Sequence, residues 1–559
     1  MAWSLIVALC LAATSERPNV LLIITDDQGY GDLSCQGNKI LKTPNLDAMH
    51  AQSVRLTDFH VDPTCSPTRA ALMTGRYSSR TGVWHTIAGR SILRRDETTL
   101  AQHFRAAGYR TGIFGKWHLG DTWPYRPQDR GFGTSLIHGG GGIGQTPDAW
   151  GNRYVDDRLW RDGKREPNKG YCTGVFCRAA EAFMTASKEP FFCYLATNVP
   201  HAPYIAPPDA SGGGAAAFVK KGVPAGRAAF YAMIADLDTE LGRMFAALKK
   251  AGKEDNTIVL FVTDNGTAAG WNEAKKDGFN AGMRGTKGTL YEGGHRVPSF
   301  WRWPGKWKPR DVGGLTMHVD VLPTLLEACG ITAKHRLPLD GQSLLGVLEG
   351  KAKVPERTLF VHSQRIETPV KGRQFAVMEG PWRLVDGREL YHLGDDPGQR
   401  TNRAEKEPDR VKIMRSAYDK WWDSISTRFG EVVPLVIGAP EQNPVPLNCH
   451  DWRGEVVPWD QSQVRKMPQA NGSWAVEVAR PGLYRFTLWH QPAEAKKILE
   501  ATRARVKVGE REATAEVKPG STSVSVEMRL EAGQTRLQTW LESKEASRGA
   551  FYIEVEWLK

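Results

Sequence analysis

A cysteine, a proline and an arginine stand at alternate positions in the peptide Cys65-Ser66-Pro67-Thr68-Arg69. Ser66 can cap a helix N-terminus and Pro67 suits the first helical position, so the spacing predicts a helix that begins beside Cys65. The free N–H groups and the dipole of such a helix end attract an anion, and Arg69, one turn further on, adds a guanidinium. A lone cysteine before a helix is usually an ordinary thiol, but this pattern predicts a reactive residue at an anion-binding helix end.

Two apolar stretches, NVLLIIT and TIVLFVT, have the composition of strands buried on both faces of a parallel sheet. The first is followed by Asp26 and Asp27, and the second by Asp264 and Asn265. In isolation the first pair also fits a simple turn. Because ligands bind at the carboxyl ends of the strands in open α/β sheets, the two pairs predict one site. Three carboxylates and an amide favour Ca²⁺ or Mg²⁺ over zinc.

Basic side chains follow candidate strands elsewhere in the chain. Lys116 and His118 come after the strand YRTGIF, in the segment GKWHLG, and His201 follows FFCYLAT, in the segment NVPHAPY. Lys287 lies in MRGTKGT, where glycine lets the backbone approach a ligand. A single lysine or histidine at a strand end is usually a surface or capping residue. Because several strands of this chain end in this way, we treat the four residues as site candidates.

The C-x-P-x-R pattern, with the segment MTGR that follows it, resembles the signature of the type I sulfatases, which belong to the alkaline phosphatase superfamily. GKWHLG, NVPHAPY, MRGTKGT and YEGGHRVP also resemble motifs of this family, and the resemblance extends over residues 19–424. It implies that a maturase oxidises Cys65 to Cα-formylglycine. It further implies one divalent cation beside the formylglycine at Cys65, usually calcium and less often magnesium, with four more ligands: Asp26, Asp27, Asp264 and Asn265.

The resemblance also implies a reaction, the hydrolysis of a sulfate ester. One hydroxyl of the hydrated formylglycine attacks the ester, the alcohol leaves, and deprotonation of the other hydroxyl expels sulfate from the covalent intermediate. In this scheme Arg69, Lys116 and Lys287 hold the sulfuryl oxygens. His201 is the candidate acid for the leaving alkoxide and His118 the candidate base for the release of sulfate.

Three other functions fit parts of the same pattern. A phosphonate or phosphodiester hydrolase of the superfamily can share the formylglycine motif and an oxygen-only metal site. A zinc phosphatase with a serine or threonine nucleophile lacks its histidine ligands here. A non-catalytic protein that binds sulfated glycans is expected to lose Cys65, Arg69 or a metal ligand, and this chain retains them all.

The elements that carry these residues predict an α/β fold. Residues 16–354 are expected to form a large mixed, mostly parallel sheet flanked by helices, as the resemblance to the alkaline phosphatase superfamily implies. Short alternating strands and a helix in residues 355–432 predict a small α+β subdomain. The Pro-rich stretch 433–447 predicts a linker, and the alternating strands of residues 448–559 predict an all-β sandwich without catalytic residues.

Composition and charge restrict the compartment and the partners. The 559 residues are enough for two or three domains, and the formal net charge of +12 favours an anionic partner. Nucleic acid is not expected, because basic runs interleaved with aromatics are missing. Residues 1–15 predict a cleaved export signal, with a buried first strand as the alternative, and no later run is long enough to span a membrane. Cys172 and Cys177 fit either a disulfide or two buried thiols.

Together these features predict an exported, exo-acting O-sulfatase for a sulfated carbohydrate. His362 and Arg365, in a loop of the second subdomain, are predicted to contact the sugar. Steroid sulfates, sulfolipids and simple aryl sulfates are the competing substrates. A chain that ends near residue 440 is predicted to retain the turnover of a small aryl sulfate.

Overall fold

The structure, a computed structural model, describes residues 17–208, 213–332 and 337–559, so the predicted export signal lies outside the described part. Within that part, no helix is long and apolar enough to cross a membrane. The strands of the first region are β1 (Asn19–Thr25), β2 (Val54–Leu56), β3 (Phe59–His60), β4 (Arg110–Gly115), β5 (Thr134–Ile137), β6 (Arg158–Arg161), β7 (Lys164–Pro167), β8 (Phe191–Ala196), β9 (Thr257–Thr263), β10 (Trp271–Asn272), β11 (Asp277–Gly278), β12 (Ser299–Arg302), β13 (Arg310–Val312) and β14 (Thr316–Met317).

Ten of these strands form one sheet in the order β13-β2-β12-β9-β1-β8-β4-β5-β6-β7. The central strands β9, β1, β8, β4 and β5 are parallel, whereas antiparallel pairs lie toward both edges. Every residue of β1, β8 and β9 is buried, which explains their unbroken apolar sequences. The prediction of a large mixed, mostly parallel sheet is confirmed.

Helices cover both faces of this sheet. Alternate residues of β1 contribute to two apolar cores, one with Leu72 and Phe104, the other with Phe176 and Leu237. Cys172 and Cys177 are buried free thiols in one of the helices. The helices of the first region are α1 (Pro44–Ala51), α2 (Cys65–Thr74), α3 (Leu100–Ala106), α4 (Cys172–Ala186), α5 (Gly214–Val219), α6 (Ala225–Lys250), α7 (Glu292–His295), α8 (Val321–Ala328) and α9 (Leu345–Leu348).

A second, antiparallel sheet follows in the chain. It has four strands in sequence order, and the ring of Phe360 stacks on Trp421 of a long helix at a centroid distance of 4.8 Å. This arrangement is the predicted antiparallel sheet closed by a helix. The elements are β15 (Thr358–His362), β16 (Phe375–Glu379), β17 (Trp382–Val385), β18 (Glu389–His392) and α10 (Pro408–Ser426).

The remaining elements form two sheets around one apolar core that includes Trp452, Trp474 and Phe486. We call residues 435–559 the C-terminal β unit. Its elements are β19 (Leu435–Ile437), β20 (Val445–Asn448), α11 (Gln461–Arg465), β21 (Ser473–Val478), β22 (Gly482–Trp489), β23 (Arg503–Val508), β24 (Arg511–Glu516), β25 (Val524–Leu530), β26 (Gly533–Glu542), β27 (Ser547–Arg548) and β28 (Tyr552–Trp557).

The stretch predicted as a linker, residues 433–447, differs from that prediction because it contributes strands to both sheets of this unit. β19 pairs with β21, and β20 pairs with β28, each at the edge of its sheet. Prolines are tolerated in edge strands because one side of the backbone needs no ladder hydrogen bonds, and Pro446 lies in β20. The Pro-rich composition therefore marks edge strands here rather than a free connection.

Candidate active site

The register of β1 and β9 builds the oxygen-rich end of the site. Thr25 pairs with Thr263, so the residues that follow the two strands lie side by side. The backbone N–H of Asp27 donates to Oδ1 of Asp264 at 3.1 Å, and Nδ2 of Asn265 donates to Oδ1 of Asp27 at 3.0 Å. The prediction that two distant strands bring these side chains together is confirmed. The oxygen cluster, as we call it, consists of Asp26, Asp27, Asp264 and Asn265.

Two oxygens of this cluster are buried without a hydrogen-bond partner among the described residues. They are Oδ1 of Asp26 and Oδ1 of Asn265. Leaving a buried acceptor unpaired costs about 1–3 kcal/mol, which a bound cation would remove. Ligand atoms of Asp26, Cys65 and Asp264 lie within 4.8 Å of one another. Because the donors are carboxylate and amide oxygens, the residues fit a hard cation such as Ca²⁺ or Mg²⁺.

Cys65 is the first residue of α2, and its side chain is only 3% exposed. The predicted capping differs in detail. Thr64 occupies the N-cap without a side-chain cap bond, and Pro67 is the third helical residue. Ser66 instead donates its hydroxyl to the carbonyl oxygen of His118 at 2.8 Å, because that residue lies over the helix end. Proline still fits, since N–H groups in the first turn have no partner within the helix.

Three basic residues are paired with the three carboxylates. Nε and Nη2 of Arg69 both donate to Oδ2 of Asp264, at 3.2 and 2.8 Å. Nζ of Lys116 lies 2.7 Å from Oδ2 of Asp26, and both side chains are fully buried. The charges therefore alternate in sign through the cluster, and each carboxylate holds its basic partner in place.

Lys287 completes the set. Its Nζ lies 2.5 Å from Oδ1 of Asp27. Burial raises the pKa of Asp27, but the Lys287 ammonium overrides this effect and keeps the pKa well below its ordinary value. Burial and the Asp26 charge raise the pKa of Asp264 to about 6, although Arg69 opposes the rise. A divalent cation at this carboxylate would favour its ionised form.

The ring of His118 directs its Nδ1 toward residue 65. Its Nε2–H donates to the carbonyl oxygen of Thr86 at 2.8 Å, which leaves Nδ1 as an acceptor. That Nδ1 lies 3.5 Å from Sγ of Cys65. Burial and the Lys116 ammonium hold the pKa of His118 well below its ordinary value. The tautomer and the distance together suit proton abstraction at residue 65.

His201 stands on the other side of the cluster. Its Nδ1–H donates to the carbonyl oxygen of Ala202 at 2.6 Å, and its Nε2 lies 3.8 Å from Oδ2 of Asp27. Burial lowers the pKa of His201 to about 4, although the Asp27 charge opposes this shift. As an acid, His201 must carry protons on both nitrogens, and an anionic substrate would raise its pKa in that direction.

A glycine loop, to which the sequence assigned no role, separates the two histidines. A Cβ on Gly141 would lie 2.3 Å from Cε1 of His118, and a Cβ on Gly142 would lie 3.2 Å from Cε1 of His201. Only glycine lets the backbone approach both rings. The run of four glycines after His138 was the available signal, but it fits a flexible linker equally well.

The two residues predicted to contact the sugar, His362 and Arg365, differ in burial. His362 is buried, with Nδ1 3.0 Å from the hydroxyl of Ser79 and Nε2 2.7 Å from Nε2 of Gln364. Its ring also packs edge-on against Trp421, so the observed contacts of this residue are packing contacts, and its contact with the sugar stays a prediction. Arg365 is exposed, as a rim residue must be.

Sequence reasoning missed a residue of the C-terminal β unit. The ring centroid of His450 lies 6.1 Å from that of His118. The segment Cys449-His450-Asp451-Trp452 carries no recognisable catalytic spacing. Only the folded chain brings it to the site.

Comparison with known proteins gives consistent matches. The Sulfatase family model matches residues 18–331. Arylsulfatase A of Bos taurus is 34% identical over 407 residues, which cover 68% of this chain and 77% of the bovine protein. Arylsulfatase G of Mus musculus is 32% identical over 388 residues, covering 62% of this chain and 71% of the mouse protein. The range matched by the family model contains the oxygen cluster, Cys65 and the basic residues up to Lys287.

Solved structures agree. The crystal structure of Ps i-CgsB in complex with k-i-k-neocarrahexaose is similar with a TM-score of 0.66 and 26% sequence identity. The match covers 74% of this chain and 94% of that chain. The large mixed sheet and its helices are therefore an arrangement seen in other proteins.

Proposed function

This chain belongs to the sulfatase family and is a sulfatase, and from that premise we propose that it hydrolyses a sulfated carbohydrate with a formylglycine at position 65. The observation that carries the proposal is the setting of Cys65. It begins a buried helix, 3.5 Å from the free Nδ1 of His118 and beside the oxygen cluster. A thiol that was merely structural would need neither neighbour.

The modified residue supplies the nucleophile. After oxidation of Cys65 by a maturase, the hydrated aldehyde offers one hydroxyl to attack sulfur and a second whose deprotonation releases sulfate. The N–H groups at the start of α2 favour the sulfate anion at this position. Nδ1 of His118, which carries no proton, accepts the proton of the second hydroxyl.

We assign the oxygen cluster to one divalent cation, and favour Ca²⁺ over Mg²⁺. The unpartnered oxygens of Asp26 and Asn265 support this assignment. Bound there, the cation would draw negative charge from the sulfate oxygens. Arg69, Lys116 and Lys287 place three further positive charges around the same anion, and their carboxylate partners hold them in position.

His201 is assigned to the leaving group. Its Nδ1–H is held by Ala202, so Nε2 is the nitrogen that can deliver a proton. Because burial lowers the pKa of His201 to about 4, donation depends on the substrate anion and the developing alkoxide, which both favour the protonated ring.

A carbohydrate substrate and exo action are supported by four observations. The chain is strongly basic, with a formal net charge of +12, and residues 1–15 have the pattern of an export signal. Ps i-CgsB, which shares the fold at 26% identity, has been crystallised in complex with k-i-k-neocarrahexaose. Cys65 and His118 are each only 3% exposed, which favours a terminal sulfate group over a sulfate within a longer chain.

The test is a release assay on purified protein whose residue 65 has been characterised by mass spectrometry. A panel of sulfated galactose, N-acetylgalactosamine, glucosamine and fucose compounds is compared with aryl, steroid and lipid sulfates. We expect sulfate release from at least one saccharide and formylglycine in the active fraction. Full activity with an intact Cys65 thiol contradicts the mechanism. Turnover restricted to the non-carbohydrate sulfates contradicts the substrate class.

A further inference from the structure

His118 sits in a conformation that needs external support. Its backbone has φ of +60°, in the left-handed region that non-glycine residues rarely adopt. The hydrogen bond from Nε2–H to the carbonyl oxygen of Thr86 orients its ring. The orientation of His118 therefore depends on the loop of residues 85–90 that carries Thr86.

That loop is tied to the C-terminal β unit. The backbone N–H of Ala88, two residues after Thr86, donates to the carbonyl oxygen of His450 at 2.8 Å. The His450 side chain is buried at 2% exposure, and its ring lies against that of His118 at 59°. The ring of His450 thus lies beside that of His118, and the main-chain carbonyl of the same residue anchors the loop that holds His118.

The same unit also holds the glycine loop on the other side of His118. Nε2 of Gln461 donates to the carbonyl oxygens of Gln145 and Ala149, both at 3.1 Å. Oε1 of Gln145 in turn accepts from the backbone N–H of Gly141 at 3.0 Å. Gly141 is the residue that packs closest to the His118 ring among the glycines of this loop.

We propose that the C-terminal β unit is a working part of the active site, and that His450 is the positioning residue that keeps Nδ1 of His118 directed at residue 65. The inference rests on the proposed function, in which His118 is the base. It replaces the expectation that a chain ending near residue 440 keeps its turnover of a small aryl sulfate. Without the unit, His118 loses its ring neighbour and both loops lose their anchors.

The first test replaces His450 by Ala in the full-length, formylglycine-bearing protein. With a small aryl sulfate, kcat is expected to fall roughly 10- to 100-fold, as for a misplaced catalytic group, while KM stays within about threefold because the sulfate contacts remain. The matched control is His490→Ala. His490 is another buried histidine of the same unit, and its ring contacts Phe551 rather than the site. The kcat of His490→Ala should equal that of the unchanged protein.

A double-mutant cycle separates positioning from a general structural role. If His450 acts through His118, then His450→Ala should lower kcat by less than about twofold in a protein that already carries His118→Ala. The proposal is overturned if the two substitutions lower kcat independently, so that their fold-losses multiply in the double variant. Should His450→Ala fail to fold, His450→Asn, which keeps a polar group next to Asp451, is measured in the same cycle.

A measurement that does not depend on turnover distinguishes a failure of this inference from a failure of the proposed function. Hydrogen–deuterium exchange of peptides that cover residues 114–120 should be faster in His450→Ala, which removes the ring beside His118, than in His490→Ala. Faster exchange without any sulfatase activity in the unchanged protein contradicts the proposed function but not the contact. A folded His450→Ala protein with unchanged exchange and unchanged kcat overturns the inference.

Discussion

Two buried clusters of acidic and basic side chains differ in whether their polar atoms have partners. In the oxygen cluster, one oxygen of Asp26 and one of Asn265 have no partner among the described residues. In the second cluster, Nδ1 of His60 pairs with Nδ1 of His295 at 2.9 Å, and Arg383 donates to Glu292 at 2.8 Å. We call the second one the histidine cluster.

The histidine cluster also has the geometry of a possible metal group, since ligand atoms of His60, Glu292 and His295 lie within 4.8 Å of one another. However, Nε2 of His60 contacts Asp58 and Nε2 of His295 donates to Leu290, so these nitrogens are satisfied. Proximity alone therefore does not mark a functional site. The oxygen cluster differs because its unpaired acceptors adjoin three carboxylates, so a bound cation would recover the cost of burying them.

Removing a ligand from the oxygen cluster should have the largest effect. In Asp264→Asn the side chain keeps its size, but Arg69 loses its charge partner and the cation loses a carboxylate. We expect kcat for an aryl sulfate to fall by roughly 1,000-fold or more, in the range seen when electrostatic groups of a site are removed. Bound metal, measured by elemental analysis, should fall in parallel.

Chelation of the unchanged protein is the control for that variant. Activity should disappear and return when Ca²⁺ is added back. Full activity after chelation, with no metal bound, contradicts the metal assignment even if Asp264→Asn is inactive.

The same kind of change in the histidine cluster should affect stability instead. Arg383 is buried and donates to both Glu292 and Asp58, so Arg383→Ala removes a buried positive charge that both carboxylates share. We expect a loss of about 3–5 kcal/mol in the free energy of unfolding, measured with denaturant. Bound metal and the kcat of the folded protein should not change.

The matched control is Arg410→Ala, which breaks a partly exposed pair with Glu379 and should cost less than about 1 kcal/mol. Loss of bound metal in Arg383→Ala would show that the histidine cluster also holds a metal ion and is not purely structural.

Acid should act on the histidine cluster in a defined pH range. Burial and the neighbouring His60 lower the pKa of His295 to about 3 from an ordinary value of 6.5. Between these pH values His295 is protonated in the unfolded chain but not in the folded chain. The contribution of His295 to the free energy of unfolding is therefore lost as pH falls from about 6.5 to 3. The expected slope is about 1.4 kcal/mol per pH unit for this group.

His295→Leu removes that group, so its unfolding free energy should vary less steeply with pH than that of the unchanged protein between pH 4 and 6. The variant is expected to be less stable at every pH, because Nδ1 of His60 loses its partner. The slopes, rather than the absolute values, carry the test. Parallel curves would show that His295 does not resist protonation.

Rules of sheet architecture explain why much of the oxygen cluster could be predicted from sequence. Apolar runs that end in Asp26-Asp27 and Asp264-Asn265 had to meet if both strands were central and parallel, and the register of β1 and β9 fulfils this. The capping of α2 was harder to predict, because Ser66 donates to the carbonyl oxygen of His118, which only the folded chain brings near. His450 had no local signal, since its partners lie in a distant part of the chain.

The predicted sugar contacts show the same limit. Closeness in sequence suggested that His362 and Arg365 act together, yet one side chain points into an aromatic core and the other is exposed. Strand pairing alone does not reveal where a side chain turns at the end of β15. That difference leads to the prediction with the smallest expected effect.

Arg365→Ala should weaken a sulfated saccharide more than a small aryl sulfate. The Arg365 guanidinium is exposed. Burial and the nearby Arg365 charge lower the pKa of His85, which lies on the loop that orients His118, to about 4. In the proposed function Arg365 contacts the sugar rather than the sulfate. We expect kcat/KM for the saccharide to fall about fivefold, as for an exposed charged contact worth about 1 kcal/mol, with less than a twofold change for the aryl sulfate. His362→Phe, which alters a buried and satisfied ring, should lower the melting temperature without discriminating between the substrates. Equal losses on both substrates for Arg365→Ala would place Arg365 outside the sugar-binding rim, and a saccharide-specific loss for His362→Phe would return that residue to it.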